Sequence, residues 1–215
     1  MVMATYTKLL GQRDILAAND AFHALFRNGL SCDQPVLHPG SGVILWGIRN
    51  ELSAEQYRVL HDAATAEGDA EAYVSFLGNY HGAQKHNGEI PPDFELADHF
   101  RFDLALYPPR DFGDDWWRII EHVIYSPKGT WGLMTSLELH GIAVGSGAFR
   151  SRLLASTLFA DSLPQFLAYC KDARDRLQGR VSWVPALLDN VYGEEATERM
   201  LRGFGEPRET WFCNG

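Results

Sequence analysis

The stretch Trp131-Gly-Leu-Met-Thr-Ser-Leu-Glu-Leu-His-Gly-Ile-Ala-Val-Gly-Ser146 decides the fold class. Two apolar runs, Trp131 to Glu138 and Ile142 to Ser146, flank His140-Gly141, where a glycine offers the positive φ that a tight turn requires. The reading is a β-hairpin that reverses at His140-Gly141. Gly145-Ser-Gly147 then reads as a strand-to-helix turn ahead of a helix around Phe149 to Leu154.

Upstream of the hairpin, Val43-Ile-Leu-Trp-Gly-Ile48 is a short apolar run with the length of a buried strand. Glu71 to Leu77 reads as another. Phe100 to Tyr107 reads as a third, alternating Phe102, Leu104 and Leu106 with Asp103 and Ala105 and ending at Pro108-Pro109. Asp114 to Tyr125 (DDWWRIIEHVIY) carries two signals. An Asp cap with Trp117, Ile120 and Ile124 at helical spacing fits a helix, whereas Ile119, Ile120, Val123 and Ile124 favour a strand; the expectation leans to helix.

Helices are expected from Asp14 to Asn28, where Ile15, Phe22, Leu25 and Phe26 share a face before Gly29, and from the Ser53/Gln56 capping box through Tyr57, Leu60 and Ala64 toward Gly68. Ser162 and Gln165 form a second capping-box pattern, opening a helix with Phe166, Leu167, Cys170 and Leu177 on one face. Trp183 to Tyr192, with Ser182 as cap, and Glu194 to Arg202 complete the set. This order lacks the regular alternation of a doubly wound sheet. It predicts an α+β fold: a single domain over residues 1–215 with an antiparallel or mixed sheet and a C-terminal group of helices.

With 215 residues, of which 46% are hydrophobic, the chain can bury a core without disulfide or metal staples. The net charge of −9 is unevenly placed, since residues 51–115 hold fourteen acids against four bases, a net −10. Such a field repels phosphate backbones and anionic lipid, so neither nucleic acid nor a membrane is an expected partner. It attracts a basic protein and speeds the encounter. Cys32, Cys170 and Cys213 are an odd number without ligand or disulfide spacing, and the N-terminus has no signal-peptide pattern, which together point to the cytoplasm. Phosphate-binding GxxxxGK[ST], HExxH and GxSxG patterns are absent from the sequence, and no cofactor is expected.

Three groups of residues carry possible chemistry. Asp111, Asp114 and Asp115 beside Trp116-Trp117 have the composition of a protein-binding hot spot, because adjacent indoles cannot both face the core and one is left for the surface. Ser136, Glu138 and His140 alternate with leucines and would share one strand face, the alternative reading being a hydrolase-like proton-transfer row. His81 and His86, in the Gly78–Pro92 loop, and His99 close after it are the alternative metal-ligand reading, although their spacing is not that of ligands on one element. No metal is expected.

The segment Lys128-Gly-Thr-Trp131-Gly-Leu-Met-Thr-Ser136-Leu-Glu138-Leu-His140-Gly-Ile-Ala-Val-Gly145-Ser resembles a strand-turn-strand segment of small acidic bacterial proteins of the toxin-immunity type. The resemblance implies a non-enzymatic cytosolic protein that binds and blocks a cognate toxin domain.

Overall fold

The hairpin forms, but the chain reverses earlier than the glycine suggests. The computed structural model describes residues 7–27, 35–48, 52–76, 99–106, 121–136, 139–177 and 181–212. Its strands are β1 (Thr7–Lys8), β2 (Gly42–Trp46), β3 (Glu71–Phe76), β4 (His99–Asp103), β5 (His122–Tyr125), β6 (Trp131–Thr135) and β7 (His140–Gly145). The helices are α1 (Gln12–His23), α2 (Ala54–Ala66), α3 (Gly147–Ala155), α4 (Ser162–Leu177), α5 (Val184–Tyr192) and α6 (Glu194–Gly203), followed by a 3₁₀ turn at Arg208–Trp211.

All seven strands join one antiparallel sheet in the order β1-β4-β3-β5-β6-β7-β2. Alternation along each strand sends side chains to two helical layers. Ile44, Val123, Tyr125, Met134, Ile142 and Val144 meet α1, α4 and α5 on one face. Val43, Leu45, Val74, Ile124, Leu133 and Ala143 meet α2 and α3 on the other. Coverage on both sides explains why β2, β6 and β7 read as apolar runs rather than alternating ones.

Ser136 N–H bonds to His140 O and Leu139 stands at φ 63°, so the reversal comes before His140. Gly141 lies inside β7 instead, and its missing side chain serves packing. A Cβ there would stand 2.7 Å from Ile48 Cδ1 and 3.0 Å from Leu133 Cδ1. Gly132 is required in the same way by the segment that follows α1, because a Cβ would meet Phe26 Cε2 at 2.6 Å.

Two further expectations are corrected. His122–Tyr125 is a strand rather than the end of a helix: β-branched Val123 and Ile124 pair between β3 and β6 and are buried on both faces. The 114–120 part of that segment lies outside the described residues. The Ser53/Gln56 capping box is formed, with both reciprocal bonds present, but Ser162 does not cap α4. The first turn of that helix starts on Asp161, whose carbonyl accepts from Gln165 N–H.

The Ser162 hydroxyl is used elsewhere. It accepts from Trp46 N–H at 3.0 Å, on the outer side of the edge strand β2. Two residues back, Ile44 N–H donates to the Tyr192 hydroxyl at 2.9 Å, and the Arg150 guanidinium donates to Gly40 O at 2.9 Å. Helices of both layers therefore wrap this edge. Burial pushes the Tyr192 phenol up to about 12, against the pull of the Ile44 amide and Arg150, so this cap stays protonated across the physiological range.

Candidate functional site

At the far end of the sheet from β2, the strands are covered less completely. In β4, His99 and Phe102 are buried while Arg101 and Asp103 are exposed. The register sets Glu71 directly opposite Asp103, Tyr73 opposite Arg101, and Thr7 of β1 on Arg101's other side. Two like charges facing each other across an antiparallel pair repel. Arg101 offsets this only weakly, its Nη1 standing 3.9 Å from Glu71 Oε2 with both side chains about half exposed. Burial raises the Tyr73 phenol above its ordinary value; Arg101 works against that, and Asp14 and Glu71 add to it. The corner is thus a half-buried tyrosine with carboxylates around it, and both Glu71 and Asp103 belong to the acidic 51–115 segment. Glu55 and Asp62 of the same segment are exposed on α2.

Behind this corner three buried polar side chains meet. His99 Nδ1 lies 2.8 Å from Ser75 Oγ and 2.5 Å from Tyr125 Oη, and the two hydroxyls are 3.2 Å apart. All three residues are at most 1% exposed. A serine beside an imidazole is the pairing a nucleophile needs, yet no substrate atom reaches a serine that is fully covered. The cluster ties β3, β4 and β5 together beneath Phe22 of α1, which meets Tyr125 edge to face.

A second buried group closes the opposite layer. Asp69 Oδ2 accepts from Ser126 Oγ at 2.6 Å and from Trp131 Nε1 at 2.7 Å, while Oδ1 meets Lys128 Nζ at 2.7 Å. Lys128 Nζ also donates to Gly68 O at 2.8 Å. Burial alone would raise the Asp69 carboxyl, but the Lys128 ammonium and the Ser126 and Trp131 donors outweigh it and hold the group below its usual range. The arrangement is a clamp between the α2–β3 connection and the β5–β6 turn.

A surface cleft of about 530 Å³ lies where α5 meets α6, lined by Arg27, Asp189, Asn190 and Glu194 among others. Its central polar groups already have protein partners. Asp189 receives a two-pronged pair from Arg208 at 2.6 and 2.9 Å, and the Asn190 amide exchanges bonds with both backbone groups of Val36 at 2.8 and 3.1 Å.

The residues singled out from sequence distribute as follows. Asp111, Asp114, Asp115, Trp116 and Trp117 lie outside the described residues, as do His81, His86 and Glu138. Ser136 and His140 stand at the mouth of the β6–β7 turn, on opposite sides of it, instead of in an alternating row on one strand. His140 is 4% exposed and packs on Phe166 and Trp183, its ring stacked on the indole at 17°. His99 sits with Ser75 and Tyr125. Among the described residues no three His, Cys, Asp or Glu side chains gather as a metal site would require. Sequence reading missed Ser75, Tyr125 and Asp69. Ser75 and Tyr125 occupy strand positions that a period-two pattern marks only as inward, and nothing local shows that their partners lie 24 to 50 residues away.

Among the described residues no helix is long and apolar enough to cross a membrane. No family model, curated protein or solved structure matches the chain.

Proposed function

We propose that this chain is a protein-binding protein that captures a basic partner through its acidic middle segment, in the manner of the toxin-immunity proteins that its 128–146 segment resembles. The observation that carries the reading is the concentration of charge: a net −10 within residues 51–115 against +1 for the rest of the chain. Where that segment is described, Glu55, Asp62, Glu71 and Asp103 face solvent. In this reading Asp111, Asp114 and Asp115 form the rim of the contact, with Trp116 or Trp117 at its centre. Rim acids raise the association rate and add little to the bound state, whereas a desolvated indole acts mainly on dissociation.

The experiment is capture of partners from the native organism, followed by binding kinetics at several salt concentrations. Asp114→Lys and Asp115→Lys are expected to lower the association rate and flatten its salt dependence. Loss of the central indole, by Trp116→Ala or Trp117→Ala, is expected to cost about 2 kcal/mol or more, seen as faster dissociation. A partner whose kinetics ignore all four changes and the salt concentration would overturn the proposal. Burial of His140 against Phe166 and Trp183 disfavours the hydrolase-like alternative through Ser136, Glu138 and His140.

A further inference from the structure

We draw no further inference here: the strongest candidate, the Ser75–His99–Tyr125 side-chain cluster between β3, β4 and β5, is closed to solvent by its own packing, and nothing among the described residues shows a ligand or a path that would reach it.

Discussion

In β2, β5, β6 and β7 every side chain except Trp46 and the Gly145 position is buried, with helices on both faces, whereas β4 at the other end leaves Arg101 and Asp103 in water. The two regions share one hydrogen-bonded sheet and differ in what a substitution there disturbs. In the covered half each position is fixed by neighbours from two layers, so changes register as lost stability. At the β3–β4 corner the side chains meet solvent on one face, and charge can be altered with little consequence for folding. A surface of that second kind is free to be shaped by a partner.

The strongest test of the covered half is the Asp69 clamp. Asp69→Ala strips the acceptor from Ser126 and Trp131 and the counter-charge from Lys128, and is expected to cost about 3–5 kcal/mol in urea unfolding. A loss below about 1 kcal/mol would show that water takes over these donors and that the region is not closed. The same group sets an acid limit. Its folded value is depressed, so its contribution is present above the unfolded carboxyl value and is lost as pH falls through the folded one. Lys128→Met, which removes the ammonium, is expected to move that loss to higher pH, read from urea midpoints taken between about pH 6 and pH 2.

Next in size is Gly132→Ala. The added methyl collides with Phe26 and Leu25, just after α1, and a cost of about 1–3 kcal/mol is expected in thermal or urea unfolding. An unchanged midpoint would mean that Leu25 and Phe26 are not seated against β6.

Tyr125→Phe and Ser75→Ala each remove one hydroxyl from the His99 group and are expected to cost about 1 kcal/mol apiece. Because both act on the same imidazole nitrogen, the double variant should lose measurably less or more than the sum. Strict additivity would break the description of the three as one unit.

The smallest effect on folding belongs to the open corner. Glu71→Lys is expected to leave stability within about 0.5 kcal/mol, because it replaces one of two facing carboxylates at a solvent-exposed position. If the corner contributes to the acidic field that guides a basic partner, the same variant slows association. A variant that unfolds the protein would erase the distinction between the two halves.

The two halves also differ in how much of them the sequence disclosed. The apolar runs of β2, β6 and β7 are legible because burial on both faces leaves no polar interruption. The hairpin turn was displaced because Gly141 has two possible reasons to be glycine, and close approach to Ile48 and Leu133 is invisible to local pattern. His140 misleads in the same way: alternation with leucines puts it in a row with Ser136 and Glu138, but Phe166 and Trp183 arrive from far along the chain to bury it. In DDWWRIIEHVIY the choice between helix and strand at Val123 and Ile124 rests on pairing with β3 and β6, which no local window contains. β1, two residues long, carries no readable signal at all. The charge asymmetry was legible by counting alone, and five residues proposed for the contact lie beyond the described part of the chain.

The capped edge of β2 has a consequence in time. Gly42–Trp46 leaves the ribosome early, but the groups that cover its outer N–H row come from Ser162 and Tyr192. At ordinary elongation rates the interval between Trp46 and Tyr192 is on the order of ten seconds. Throughout it the strand is a naked template of five consecutive residues, GVILW, open to a neighbouring nascent chain. The last helices to be synthesised thus act as a seal, and chains released before residue 192 are the ones most exposed to aggregation.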